Sequence, residues 1–459
     1  MENQLSSVQK GESYFIKLIL FFSLYGIIVL CSGCPTIQNP CAPFMDKCDD
    51  LQAVPLTDRY IIQLSDQYIK DTRDSLPEGV PFESFLESEI RAIVEVPREE
   101  EIWKFCGCGL VLMKVLDTSI GIEDRVTGAK SRLDQNGNMG IAGFDYEIPV
   151  GPFPNDPREA IKRDTILPYN IPIKNPKSNS VKVAIVDTGC QYDHNDLQNV
   201  MWENPNGEVI GNGNDEDENC FEDDFIGYDF INKNPWFNDV DGHGTHVAGI
   251  VASKIPQNDI DLKIMNLKVL ELRRASLFDA VCGIQYAIDK KADIINLSWG
   301  YYSKNESPIL KNVLVESHSK KIIIVTSAGN DNMNVDCCLH WPSNFTAYPD
   351  LDNVLSIAAL ADTDGGTNFV IADYSNFGLF SVDLSAAGTN ILSAYPPNIQ
   401  EALSGTSMAA PAVAGELAKI KALSNLSYQA IITELMNSKS STFSSANLKA
   451  TVTNKYINP

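Results

Sequence analysis

Between Val181 and Leu360 the chain repeatedly runs apolar over a few residues, and this texture constrains the fold more than any other feature. The runs are Val181–Val186, Leu262–Leu270, Ile294–Leu297, Ile322–Val325 and Val354–Leu360. A strand with one wet face alternates apolar and polar residues, whereas a near-continuous apolar run needs cover on both faces. Between two such runs, Ser276–Lys290 places Leu277, Val281, Ile284 and Ile288 at helical spacing. Strands alternating with helices build an α/β fold around a mostly parallel sheet. In such sheets function gathers just past the carboxyl ends of the strands.

At 459 residues the chain has room for one large domain and a smaller one. Five stretches are expected. Residues 1–33 read as a signal peptide: Lys10 and Lys17 precede a mainly apolar run, Leu18–Leu30, too short to span a bilayer comfortably. The Ser-Gly-Cys ending resembles a lipoprotein cleavage site, which would place a lipid on Cys34; a signal-anchor helix is the other reading. Residues 34–58 read as a tether. Residues 59–115 read as a small α+β unit, with a strand at Tyr60–Leu64, a helix at Phe82–Val94 and strands at Glu101–Phe105 and Leu110–Val115. Residues 116–180, rich in Gly, Pro and Asn from 134 onward, read as linker and extended chain. Residues 181–459 form the main domain, with one or two helices after Glu416.

Composition matters at two points. Thirty-six Lys and Arg against 60 Asp and Glu give a net charge of −24, which repels phosphate and excludes nucleic acid as a partner. The 11 cysteines suit an exported chain in which disulfides form, although their pairing is not legible in sequence. Most read as structural.

Three polar motifs sit at strand or helix ends. Val183-Ala-Ile-Val-Asp187-Thr-Gly189 puts a carboxylate at the end of a buried strand. Alone, Asp-Thr-Gly also marks aspartic proteases, but no second copy occurs and the other motifs would go unexplained. Asp241-Gly-His243-Gly-Thr-His246 places His243 between glycines at the start of a helix, with His246 bonding internally; a metal reading of the pair lacks the adjacent Glu. Gly405-Thr-Ser407-Met-Ala-Ala-Pro411 puts a serine at the start of an apolar helix, where orphan N–H groups favour developing negative charge. A serine hydroxyl needs a base, and the base needs a carboxylate to hold its tautomer. A fourth buried run, Ile322-Ile-Ile-Val-Thr-Ser-Ala-Gly-Asn330, ends in an amide able to donate to an oxyanion.

These four segments, in this order, resemble those of the subtilisin-like serine proteases, the subtilases of peptidase family S8, over about Val181–Ile432. The resemblance implies a three-layer fold with a central mostly parallel sheet, preceded by a small α+β prosegment. It implies a serine endopeptidase acting on polypeptide substrates, in which Asp187 orients, His243 is the base, Ser407 the nucleophile and Asn330 the oxyanion donor, with the Ser407 N–H as second donor. Ser298, Trp299 and Gly300 would pair with the substrate backbone, and with Ser327, Ala328 and Gly329 would wall the pocket before the scissile bond. The family's frequent His after the motif proline is Ala412 here. Residues 59–115 stand where a subtilase prosegment folds against its own protease as inhibitor, with cleavage expected at about 116–175. Residues 199–232 hold ten acidic residues and no Lys or Arg. There Asp215, Asp217, Asn219 and Asp223 are expected to hold a structural Ca²⁺, without matching an EF-hand. The chain is expected to be secreted or extracytoplasmic. The alternative is a catalytically silent peptide-binding protein on the same scaffold.

Overall fold

The computed structural model describes residues 41–148 and 179–457, apart from short stretches of which 94–99 and 443–450 are the longest. The expected signal peptide, Cys34 and the 149–178 part of the expected linker lie outside the described residues.

The main sheet is built from β5 (Ser180–Asp187), β6 (Gly227–Asp229), β7 (Asp261–Lys268), β8 (Ile294–Leu297), β9 (Ile323–Ser327), β10 (Val354–Asp362) and β11 (Leu384–Ala387). Their spatial order is 11-10-9-8-5-7-6, all parallel. Successive residues point to opposite faces, and both faces are dry. Val181, Val183 and Ile185 join one core with α5 (His243–Ser253) and α8 (Thr406–Leu423). Ala184 and Val186 join the other with α6 (Leu277–Asp289) and α7 (Pro308–Ser319). Helix, sheet and helix thus make the three layers expected. Each fully buried Leu, Ile or Val adds roughly 1.5–3 kcal/mol of apolar transfer, so the runs apolar on both sides hold the sheet between its helices. After α9 (Tyr428–Ser438) the tail adds Ser440–Thr442 and Lys455–Ile457 to the edge beside β11, an extension that the helical reading of the tail lacked.

The N-terminal unit is larger than expected. Its sheet has the order β2-β3-β1-β4, all antiparallel, from β1 (Pro55–Leu64), β2 (Glu100–Cys106), β3 (Leu110–Val115) and β4 (Gly140–Tyr146). The helices α2 (Asp66–Asp74), α3 (Phe82–Ile93) and α4 (Ile122–Gln135) accompany it. Thus β4 and α4 occupy part of what reads as linker in sequence. Two glycines hide β4: a Cβ on Gly140 would come 2.2 Å from the Gln63 carbonyl oxygen, and one on Gly143 2.8 Å from Ile309 Cγ1. Close approach demands glycine where strand propensity would want a branched residue.

Alternation along β1 explains the docking. Tyr60, Ile62 and Leu64 face the unit's own helices with Leu86, Ile90, Val126 and Leu133, while Ile61 packs into the main domain's second core. Asp145 accepts the Phe278 N–H at the start of α6 (3.1 Å), and the Ile148 N–H donates to the Ala275 carbonyl (3.0 Å). Lys104 pairs with Asp279 at 2.5 Å.

Disulfides join the two parts. Cys41–Cys337, Cys48–Cys338 and Cys106–Cys282 each link the N-terminal stretch to the main domain. The expected tether therefore contains an ordered helix, α1 (Met45–Leu51), pinned at Cys48. Neighbouring Gln52 forms a parallel bridge with Tyr302.

Candidate active site

Strand order reverses direction around β5, so the crevice at its carboxyl end is where the chain can leave a cleft open. Asp187, the last residue of β5, lies there with its side chain 1% exposed. His243 is the first residue of α5, and its Nδ1 stands 2.6 Å from Asp187 Oδ1. The same carboxylate oxygen accepts the Thr188 N–H at 2.8 Å, which fixes its rotation. Burial alone would lower the His243 pKa, but the charge and hydrogen bond of Asp187, with Asp241 and Asp239 beyond, raise it above the ordinary histidine value.

The start of α5 is held by a group that pattern reading missed. Asp239 accepts N–H groups from Asp241, Gly242 and Thr245 and hydroxyls from Thr188 and Thr245. It acts as a remote cap for orphan donors of the first turn. Gly244 lets this turn press on β5, since a Cβ there would stand 2.2 Å from the Gly189 carbonyl oxygen. His246 packs internally as expected: its Nε2–H donates to the Ile391 and Glu401 carbonyls, and burial pushes its pKa down to about 4.

Ser407 lies in the first turn of α8, which packs beside α5. Pro411, four residues on, has no N–H to give the Ser407 carbonyl, and Ser298 Oγ donates to that carbonyl instead at 3.0 Å. In return, Ser407 Oγ donates to the Ser298 carbonyl at 3.0 Å. The hydroxyl therefore has to turn from that acceptor before its proton can pass to an imidazole.

Asn330 follows β9. Its Oδ1 accepts both the Thr406 N–H (2.8 Å) and the Thr406 hydroxyl (2.9 Å), which fixes the amide and leaves Nδ2 as the donor side. Thr406 Oγ1 in turn accepts the Gly329 N–H at 3.1 Å. Thr406 is a second positioning residue that motif reading missed, though it stands inside the serine motif. Of the expected pocket residues, Ser298 and Gly329 are thus tied to the Ser407 turn. Trp299 turns inward, its indole N–H donating to the Val186 carbonyl at 3.1 Å. Ser327 ends β9, and Ala328 is wholly buried, bonded to Ile357 and Asn376.

The acidic stretch folds into a cluster that holds two of the four expected ligands, Asp215 and Asp217, together with Glu208. Carboxylate oxygens of Glu208, Asp215 and Asp217 lie within 4.8 Å of one another. Asn219 and Asp223 are engaged elsewhere: Asn219 bonds Phe221 and Asp224, and Asp223 accepts the Asn212 and Gly213 N–H groups. Glu208, absent from the expected set, replaces them. Burial and then the nearby Asp224 and Asp217 push the Glu208 pKa up to about 7. Glu208 Oε2 and Asp217 Oδ1 are buried acceptors with no hydrogen-bond donor. Lys290, bonded to Asp217 and Asp224, offsets only part of this charge. Hard oxygen donors left unsatisfied at this spacing fit a calcium-sized cation.

Comparison with known proteins gives the family. The model of the Subtilase family matches residues 178–456. An intracellular serine protease of Paenibacillus polymyxa is 34% identical over 56% of this chain and 72% of its own length. The major intracellular serine protease of Bacillus subtilis (strain 168) is 32% identical over 57% of this chain and 74% of its own. A solved cold-adapted subtilisin-like serine proteinase aligns over 63% of this chain and 93% of its own, at 24% identity and a TM-score of 0.45.

Proposed function

The chain belongs to the subtilase family, and on that premise we propose that it is a serine endopeptidase made as a self-inhibited precursor. The observation that carries the reading is a pair of contact sets on two helices packed side by side: Asp187 on His243 at the start of α5, and Asn330 and Ser298 on the Ser407 turn at the start of α8.

In this mechanism the polypeptide lies along Ser298–Gly300 as an added strand. The Ser407 hydroxyl leaves the Ser298 carbonyl, passes its proton to His243 Nε2 and attacks the scissile carbonyl. Asp187 keeps the Nδ1 proton in place and stabilises the imidazolium. The oxyanion receives Asn330 Nδ2–H and the Ser407 N–H, an orphan donor of the helix start. His243 then protonates the leaving amine, and water repeats the sequence on the acyl-enzyme.

Residues 55–148 act as the inhibitor. Asp145 on the start of α6 and the Ile148 N–H on Ala275 support this, because they dock the unit on the main domain. Cleavage falls within 149–178. Glu208, Asp215 and Asp217 would hold Ca²⁺, which when bound would supply only structure, neutralising carboxylates and ordering the 208–224 loop. Export is supported by the cationic and apolar N-terminus and by the disulfides, which need an oxidising compartment. A lipid at Cys34 would keep the protein on a membrane surface.

A fluorophosphonate probe tests the catalytic core. Applied to protein cut within 149–178 and freed of its N-terminal unit, it should add one covalent group, mapped to Ser407 by peptide mass, and denaturation or His243→Ala should abolish labelling. An unlabelled protein in that freed state would favour the silent peptide-binding alternative.

A further inference from the structure

The slot beside Ser407 contains a histidine that the mechanism does not use. β8 and β9 pair in parallel up to Leu297 and Thr326, and past the pairing the chain runs on as Ser298–Gly300 beside β8 and as Ser327–Gly329, of which Ser327 still pairs with Ile357 of β10. Both segments are bonded to the Ser407 turn, the first through Ser298 and the second through Gly329 and Thr406. The space between them is thus the space next to the nucleophile, and each segment ends there in a glycine.

The imidazole of His340 fills that space. A Cβ built on Gly300 would stand 2.2 Å from His340 Cε1 and 2.6 Å from Nε2, and one on Gly329 would stand 3.1 Å from Nε2. One ring therefore lies beside both glycines; Gly300 leaves room for it, whereas a Cβ on Gly329 would first meet Asn376 Nδ2, at 2.3 Å. The ring cannot easily move aside. Its backbone N–H donates to Asn344 Oδ1 at 2.7 Å, while Asn344 is held by Val335 and Ser381. Tyr302 packs edge-on at 4.8 Å between centroids, its own hydroxyl fixed by Asp331 and Asn376. His340 is 4% exposed, and its Nδ1 is buried without a hydrogen-bond partner. Burial pushes its pKa down to about 3, so the ring is neutral wherever the enzyme would work. An uncharged group wedged between two walls acts through its volume.

We infer that His340 forms the floor of the pocket for the residue preceding the scissile bond and restricts that residue to a small side chain: glycine, alanine or serine. The inference deepens the serine-peptidase reading of Ser407 and rests on it. A longer side chain has to displace a ring locked by Asn344 and Tyr302, and hydrophobic pockets discriminate by about 10–200-fold for a single methylene. The sequence alone hides this, because His340 lies ten residues after Asn330 in a two-residue strand, His340–Trp341, with no motif of its own.

The test uses two internally quenched peptides that differ only in that residue, alanine or phenylalanine, with the full chain and with His340→Gly and His340→Ser. The wild type should favour the alanine peptide at least tenfold in kcat/KM, and His340→Gly should shift the ratio toward phenylalanine by tenfold or more. Equal rates for wild type, or a ratio unmoved in a folded His340→Gly or His340→Ser, would overturn the inference. If neither variant folds, the wild-type preference decides alone. A parallel calorimetric titration of Ser407→Ala with peptides ending in alanine or phenylalanine separates the two readings, since a docked N-terminal unit would weaken both peptides by the same factor. Selective binding without wild-type hydrolysis would sink the peptidase reading and keep the pocket. Hydrolysis without selectivity, or binding of neither peptide, would sink the pocket.

Discussion

His243 Nδ1 stands 2.6 Å from Asp187 Oδ1, with the two side chains 3% and 1% exposed. A charge-assisted contact this short and dry fixes both the ring's plane and its tautomer, leaving Nε2 as the proton acceptor. Removing the charge while keeping the shape isolates that contribution. Asp187→Asn should lower kcat by about 10⁴, the cost of a misplaced tautomer in other triads, with little change in KM. Progress curves across substrate concentrations measure both, and a tenfold loss or less would remove Asp187 from the reaction.

The same contact sets the pH dependence. Burial opposes the charged imidazole, but Asp187 and the neighbouring carboxylates win, so the free enzyme's His243 pKa lies above the unperturbed ~6.5. The base works only when neutral. Activity should therefore fall as pH drops through a single ionisation lying above ~6.5, read from kcat/KM in the free enzyme. An acid limb centred near 5 would contradict the assignment.

Thr406 gives a finer test of the oxyanion side. Asn330→Ala should cost about 10²–10³ in kcat, the value for one such donor in subtilisin. Thr406→Val keeps the amide but removes the hydroxyl that bonds Asn330 Oδ1. Its loss should be smaller, and in Asn330→Ala it should shrink further, because the hydroxyl then has no amide to orient and keeps only its bond from the Gly329 N–H. Additive effects in this double-mutant cycle would separate Thr406 from Asn330.

Asp187, His243, Asn330 and Ser407 were legible in sequence because each ends a strongly apolar run or opens an apolar helix. The main sheet was legible for the same reason: apolar runs at nearly every position leave few folds open. What escaped notice depends on contacts between distant segments. β4 carries glycines dictated by Gln63 and Ile309, partners far along the chain. Glu208 precedes the densest acidic run and joins it only when the loop folds back. Asp239 and Thr406 are ordinary polar residues until several donors and acceptors converge on them. The three cysteine pairs among the described residues span separations of 176 to 296 residues, which spacing cannot convey.

Connectivity makes a prediction about maturation. Among the described residues, three disulfides join residues before 149 to residues after 178. A cut within 149–178 should therefore leave one covalent species on a non-reducing gel and two fragments after treatment with a dithiol. Separation of the fragments without reductant would show that these bridges do not form.

Calcium should stabilise the folded protein through Glu208, Asp215 and Asp217. A ligand bound only by the folded state adds RT ln(1 + [L]/Kd), about 2.7 kcal/mol at a hundredfold excess over Kd. For a domain of this size that is several degrees in Tm. Differential scanning calorimetry with calcium and with chelator should show the shift in wild type, reduced in Glu208→Gln with Asp215→Asn. An undiminished shift in that double variant would place the ion elsewhere.

The central claim is that Ser407, activated by His243, cleaves peptide bonds. The most direct measurement is the initial rate of hydrolysis of an internally quenched peptide bearing alanine before the scissile bond, by the wild type and by Ser407→Ala at equal concentration and matched circular dichroism. The predicted result is turnover by the wild type and a loss of about 10⁶ in kcat in the variant, the magnitude found for the nucleophile of subtilisin. Equal rates in the two proteins, or no turnover by a wild type freed of its N-terminal unit by cleavage and reduction, would contradict it.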